Sequence, residues 1–544
     1  MRKKTIYLSA ATLVLFIICI EYFANKPAVS VSNNVQIQAS KDITSKGKEE
    51  NKKTTVNKPF LIDSKILNSI SYSVLLNSKK VTDYSGNNLF PSEYTDIEGI
   101  LTFRGNNLRT SPSYGVSSIS EKKLSTKWSF TTSSSSWGGG AGWTGQPAII
   151  KWPTYTKELM NIKDKFKQQE NFTEVISSSL DGNVYFLDLE TGEKTRDPIR
   201  VGNPIKGSVS IDPRGIPLLY VGEGIPEKGP IGYDVFSLID GSKLSFINGM
   251  DTDALRGWGA FDSSALINKQ TDTLIEAGEN GLLYIVKLNT KFDIENKSIS
   301  IAPETTKYRY QISGHEYQGI ENSTAIYKNL LYFADNGGSI QCIDLLTLKP
   351  VWTFNGKDDT DASLVVDVED NIPYIYSGNE IDKQGYKGYS YLKKINGLTG
   401  EAVWEKTYEC MSVIGNDPVN GGMLATPVVG KQDTKDIIIF GLARYKNMNS
   451  GLILALDKKT GAEIWRKELP NYMWSSPVDF YDKNGKTYII QCDSIGNMYL
   501  LDGKTGSELN KINLGSNIEA TPSIFNDTIV VATRGGKFYG ISIK

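Results

Sequence analysis

Apolar and polar positions alternate in short runs along most of this chain, and the runs return at a regular spacing. In LILALDKKTGAEIW, from Leu452 to Trp465, an apolar strand meets an Asp, a Thr-Gly pair, a second strand and a Trp. The same order recurs in YFLDLETGEKTR ending at Arg196, QCIDLLTLKPVW ending at Trp352, LKKINGLTGEAVW ending at Trp404 and YLLDGKTGSELN ending at Asn510. Period-two alternation predicts strands. Thr-Gly predicts the tight turn between them, because glycine accepts positive φ without steric cost. The Asp ahead of that turn can accept its backbone N–H groups and so fix the register.

A second marker runs in phase with the first: a strand that begins with small residues and continues apolar. Its copies are GQPAII at Gly145, GSVSI at Gly207, DSSALI at Asp262, NSTAIY at Asn322, DASLVV at Asp361, ATPVVG at Ala425, SSPVDF at Ser475 and ATPSIF at Ala520. Eight copies at a period of about 50 residues, with four short strands per copy, predict the blades of a β-propeller. The Trp that closes the motif where present is expected to lie against a small residue of the neighbouring blade, such as Ala455. Such a ring removes roughly 150–250 Å² from water. The last copy, GKFYGISIK, ends the chain at its third strand, and KLSTKWSF, Lys123 to Phe130, supplies a fourth strand with its own Trp128. The sequence therefore predicts an all-β fold: one eight-bladed propeller over 124–544, closed by an N-terminal strand that completes the last blade. One interruption, TKELMNIKDKFKQQENF at 156–172, places Leu159, Ile162 and Phe166 at helical spacing and predicts a short amphipathic helix lying over one face.

Before residue 124 the pattern changes. MRKK precedes an apolar run from Ile6 to Ile20. This predicts a signal anchor at 1–24, with the positive end held in the cytoplasm and the remainder outside; a cleaved, secreted form is the alternative. Residues 25–58 are polar without hydrophobic period and predict a flexible tether. Residues 59–123 form a lead-in rich in turn residues.

Charge and cysteine usage narrow the chemistry. Sixty Lys and Arg against 61 Asp and Glu give no electrostatic case for nucleic acid. The single histidine, His315, argues against a His-rich metal site and a Ser-His-Asp triad, and it reads as a loop residue. Of the four cysteines, Cys19 falls in the anchor; Cys342, Cys410 and Cys492 form no CxxC and read as small core side chains.

The pattern A-x-D-x-x-T-G-x-x-x-W, complete from Ala455 to Trp465, together with the lead-in TFRGNNLRTS, resembles the quinoprotein-type (PQQ-like) β-propeller family. That resemblance covers about 100–544. It implies either of two activities: quinone- and calcium-dependent alcohol or sugar dehydrogenation, or non-catalytic scaffolding, as in members similar to the outer-membrane assembly "B" lipoprotein. The dehydrogenases would bring calcium ligands, an Asp base and an aromatic floor, and many carry adjacent cysteines. This chain has no adjacent cysteines and no haem motif.

The candidate ligand- or partner-binding residues lie ahead of the innermost strands. They are Trp143, Arg256 with Trp258, Glu321 beside Asn322, Asp361 in the acidic run that includes Asp358 and Asp359, and Trp474. Equivalent positions in the repeat should bring these side chains to one mouth of the channel, where aromatic faces could hold a peptide, a sugar or a quinone. Arg104 and Arg109 should pin the lead-in to the propeller through backbone carbonyls. The function expected is a membrane-anchored, extracytoplasmic binding or scaffolding module for an envelope protein or glycan. On that reading no catalytic residue, cofactor or metal is expected. A PQQ- and calcium-dependent oxidoreductase and a cell-wall polysaccharide binder are the alternatives.

Overall fold

The computed structural model describes residues 57–61, 70–143, 145–315, 318–415 and 418–544. The expected anchor at 1–24, and the tether apart from its last two residues, lie outside them. Among the described residues no helix is long and apolar enough to cross a membrane.

Eight antiparallel sheets form the body, one per predicted blade. Blade 6 shows the plan: Val428–Val429 innermost, then Ile437–Ala443, Gly451–Asp457 and, outermost, Glu463–Leu469. The Thr-Gly turn joins the third strand to the fourth. In blade 6 the Asp457 carboxylate accepts from the backbone N–H of Thr460 at 2.7 Å and from its hydroxyl at 2.7 Å, while Gly461 sits at φ 68°. Only glycine adopts that conformation without strain.

The ring closes as the sequence predicts. Leu124–Thr131 pairs antiparallel with Lys537–Ile543, setting Leu124 opposite Ile543, Trp128 opposite Gly540 and Phe130 opposite Phe538. A one-residue bulge precedes Trp128, as it precedes Trp352, Trp404 and Trp465 in their own blades. A bulge re-aims the side chain that follows it. The fourth strand of blade 8 thus carries the same local device as its neighbours, although it comes from the other end of the chain.

Each of these tryptophans reaches across to the next blade, and here the structure corrects one expectation. Ala455 is the cross-strand partner of Trp465 within blade 6 and not a neighbour-blade contact. The neighbour-blade contact is the turn glycine: Trp128 lies against Gly192, Trp352 against Gly400, Trp404 against Gly461 and Trp465 against Gly506. The indole N–H then donates to a backbone carbonyl of the same turn, Leu189 at 2.9 Å, Gly397 at 2.8 Å, Lys458 at 3.0 Å and Gly503 at 3.1 Å, respectively. In blade 1 the motif ends in Arg196, which makes the equivalent bond to the Leu238 carbonyl at 2.9 Å. Its charge is met by buried Glu174 at 2.5 Å, and its guanidinium lies over the Phe186 ring.

The lead-in is built into the propeller. Ile70–Leu76 adds outside blade 3 against Glu304–Ile312. The segment 99–114 then visits the innermost strand of every blade. Gly99–Ile100 pairs with Ile149 and Ile150 of blade 1, and the Leu101 carbonyl accepts from Ile211 N–H of blade 2 at 2.7 Å. Arg109 donates to the carbonyls of Ser264 in blade 3 at 2.6 Å and Thr324 in blade 4 at 2.8 Å. The Leu108 carbonyl accepts from Val366 N–H of blade 5 at 3.0 Å. Arg104 donates to Pro427 of blade 6 at 2.9 Å and Pro477 of blade 7 at 3.0 Å. Ser113–Tyr114 runs parallel to blade 8 at Ile524 and Phe525. Both arginines are fully buried and lie at positive φ, 53° and 60°. Non-glycine residues hold that conformation where surrounding contacts over-determine it. The segment is a plug, and its role for Arg104 and Arg109 is the pinning expected from sequence.

The interruption at 156–172 is two short helices, Thr154–Leu159 and Asp164–Lys167, rather than one. The backbone is extended at Met160, and Met160, Ile162, Phe166 and Phe172 pack into the core shared by blades 1 and 2. Leu159 is only partly buried.

Candidate functional site

The loops ahead of the innermost strands form the end of the channel away from the plug. Trp143 is half-buried, and its indole donates to the Leu424 carbonyl at 3.0 Å, linking blade 1 to blade 6 over that end. Trp474 is half-buried beside Tyr472, with ring centroids 6.0 Å apart and its indole N–H shielded from water without a partner. Trp258 is exposed, at 36%, on a loop that also exposes Met250 and Leu255. The three tryptophans therefore differ: Trp143 ties loops together, while Trp258 presents a free face.

Arg256 reaches inward from the Trp258 loop. It donates to the Glu279 carbonyl at 3.2 Å and to Asn336 Oδ1 at 3.0 Å. With Leu255, Tyr310 and His315 it lines a cleft of about 290 Å³. His315 is thus a half-buried cleft residue rather than a plain surface loop residue, and its Nδ1 is shielded without a partner. Asn336 continues the chain of contacts, donating to Glu321 Oε1 at 2.8 Å and to Asp359 Oδ2 at 3.3 Å.

Two groups of carboxylates flank Asn336. Asp262, Glu279 and Glu321 bring one oxygen each within 4.8 Å of one another, and so do Asp359, Asp361 and Glu380. The first group carries its own counter-charge, since the Lys206 ammonium is ion-paired with Asp262 and lies 4.0 Å from Glu279. Burial opposes that ammonium, yet Asp262 and Glu279 hold its pKa above the usual lysine value. In the second group burial, then Glu321, pushes Asp359 up to about 7, and burial with neighbouring carboxylates raises Asp361 and Glu380 well above the carboxylate range. Desolvation and like charge act in the same direction here.

A quinone of the PQQ type is itself a tricarboxylate, and this end of the channel does not fit it. Six carboxylates line it, while Lys206, Arg256 and Lys383 are already bonded to protein groups. The second carboxylate group does fit a cation.

A family model described as "Outer membrane protein assembly factor BamB" matches residues 449–544, which hold the complete motif of blade 6, all of blade 7 and the three strands of blade 8 that end the chain. The matched repeats are similar to PQQ-like repeats. Over 181 residues this PQQ-like chain is 25% identical to the outer membrane protein assembly factor BamB of Kangiella koreensis, an alignment spanning 33% of this chain and 39% of that protein. A quinohemoprotein alcohol dehydrogenase from Pseudomonas putida HK5 superimposes with a TM-score of 0.53 at 12% identity, over 82% of this chain and 80% of that one. BamB from Moraxella catarrhalis gives a TM-score of 0.47 at 15% identity, over 77% of this chain and 98% of that one. At such identities the likeness to the dehydrogenase establishes the PQQ-like fold alone.

Sequence reasoning singled out Glu321, Asp361, Asp358 and Asp359 but missed Asp262 as a carboxylate of this site, along with Glu279, Glu380, Lys206 and the asparagines that connect them. A signal was present. Aligning the blades places a Glu just past the second strand in VGEG, AGEN and SGNE, at Glu223, Glu279 and Glu380.

Proposed function

We propose that this protein is a non-catalytic binding and scaffolding propeller of the cell envelope, and that its partner docks on the loops opposite the plug. The observation that carries this reading is the contrast between the two ends of the channel. One end is filled by 99–114 through bonds to all eight blades. The other exposes Trp258, Leu255 and Met250 on one loop beside the acidic group. An exposed aromatic among apolar neighbours is the composition of a binding hot spot. The matches to outer membrane assembly factors support an envelope protein as the partner and a place outside the cytoplasm. The PQQ- and calcium-dependent oxidoreductase reading is not favoured, because the site's charge opposes the quinone. Affinity recovery of the tagged protein from intact cells after mild crosslinking tests the proposal. Trp258→Ala should lose the recovered envelope protein while the propeller still melts cooperatively; recovery unchanged by Trp258→Ala and by Leu255→Ala places the partner elsewhere.

A further inference from the structure

We infer that the cleft lined by Leu255 and Arg256 of the Trp258 loop receives a carboxylate side chain, Asp or Glu, from the partner segment that docks there. This rests on the reading of that loop as the docking face and names the chemistry the face selects. The cleft holds about 290 Å³, with Tyr310, Gln311, His315 and Gln318 also in its wall and no Asp or Glu among its lining residues. In an otherwise acidic mouth, this one cleft is lined by a guanidinium and by the chain's single imidazole.

Arg256 is held by one nitrogen. Its Nη1 donates to the Glu279 carbonyl at 3.2 Å and to Asn336 Oδ1 at 3.0 Å, and a Cβ on residue 319 would collide with that same atom, so Gly319 leaves the space the guanidinium occupies. Among the described residues Nε and Nη2 bond to nothing. The Nε–Nη2 edge is one on which a guanidinium takes a carboxylate through two parallel bonds. His315 is fixed through its backbone, its N–H donating to the Ile312 carbonyl at 3.1 Å and its carbonyl accepting from Gln318 Nε2 at 3.1 Å. Its Nδ1 is shielded from water without a partner. Such a nitrogen is costly when left alone and becomes a charged donor once an anion draws a proton onto the ring.

The carboxyls that feel these two groups are Glu279, near Arg256, and Asp335, near His315. Burial raises both above the ordinary carboxylate range, which favours their neutral forms and lessens their opposition to an incoming anion. The Tyr310 hydroxyl is already given to Asp335 at 2.8 Å and does not compete for the ligand. A cation in the cleft would be repelled by Arg256, and a neutral group would leave the open guanidinium edge without a charged acceptor. Leu255 is 56% exposed, so the acid should be flanked by apolar residues that pack against it. Met250, Leu255 and Trp258 are all exposed on the same loop, a wider span than a chain end covers. The carboxylate therefore belongs to a side chain within a segment and not to a C-terminus.

The single histidine supplies the readout. Full-length protein in detergent, isotope-labelled at histidine Cε1 and purified without a histidine tag, gives one imidazole signal by NMR. Acetyl-Leu-Glu-Leu amide is titrated in at fixed pH, and acetyl-Leu-Gln-Leu amide in a parallel sample. The signal should move saturably with the Glu peptide, the Gln peptide should bind at least about tenfold more weakly, and Arg256→Gln should abolish the movement. If Arg256→Gln does not fold, His315→Ala should weaken binding of a dye-labelled Glu peptide several-fold, read by fluorescence anisotropy. No movement of the wild-type signal at millimolar Glu peptide overturns the inference, as does equal movement with the Gln peptide. Partner recovery lost in Trp258→Ala but kept in folded Arg256→Gln also overturns it, and leaves the docking face standing. Recovery unchanged by Trp258→Ala and by Leu255→Ala, with the imidazole signal still moving, supports the carboxylate site and counts against the docking face instead.

Discussion

The Trp128 indole donates to the Leu189 carbonyl at 2.9 Å and so fastens blade 8, finished by an N-terminal strand, to the turn of blade 1. The same ring lies against Gly192 of that turn and Gly540 of its own blade. Closure therefore depends on one side chain meeting a carbonyl and two glycines, neither of which leaves room for a Cβ. Trp128→Ala should cost about 3–5 kcal/mol of stability, the range for other buried aromatics, read by denaturant unfolding. Deleting residues 1–132 should remove both plug and closing strand and yield an aggregating product with an open edge.

Much of this was legible in the sequence for a physical reason. A left-handed turn residue, an Asp or Asn to cap the turn and a Trp eight positions after that cap leave a local imprint, so blades 4, 5 and 6 announce themselves. Arg196 stands at the Trp position of blade 1, and nothing local says that a guanidinium will make the indole's hydrogen bond. The plug was legible only as two arginines, because its remaining bonds use backbone groups and the short polar side chains of Thr102 and Asn107, which carry no sequence signature. The carboxylate groups were half legible. Glu321 and Asp361 head their strands, but Glu279 and Glu380 follow a different strand and meet them only once the ring is closed.

The plug makes its own prediction. Arg104→Met would leave the Pro427 and Pro477 carbonyls buried without donors, which should cost roughly 3–5 kcal/mol. Hydrogen exchange at the amides of 99–114 should rise before that of the blades. Equal protection in the variant would show that Arg104 does not hold the segment.

The motif tryptophans and the exposed one should separate cleanly. Trp465 is 8% exposed and Trp258 36%. Trp465→Ala should lower stability by about 3–5 kcal/mol, and Trp258→Ala by less than about 0.5 kcal/mol. Melting curves of the two variants, taken together with partner recovery, check the assignment.

Stability should depend on pH through Glu276. Burial, opposed by the Ser263 hydroxyl and the Arg109 charge, pushes its carboxyl up to about 8, against 4.5 for an ordinary glutamate. Between those values the unfolded chain releases a proton that the folded chain keeps, so stability falls as pH rises from about 4.5 to about 8 and is level above. Glu276→Gln should flatten that part of the profile of melting temperature against pH.

The central claim, that the loops opposite the plug are the binding face, is tested most directly by site-specific photo-crosslinking in intact cells. A photoreactive phenylalanine replaces Trp258 in one variant and Ile464, exposed on the outer strand of blade 6, in another. The account predicts a discrete adduct with an envelope protein from position 258 and none of that mass from position 464. Adducts of the same mass from position 464 alone, with none from 258, would contradict it.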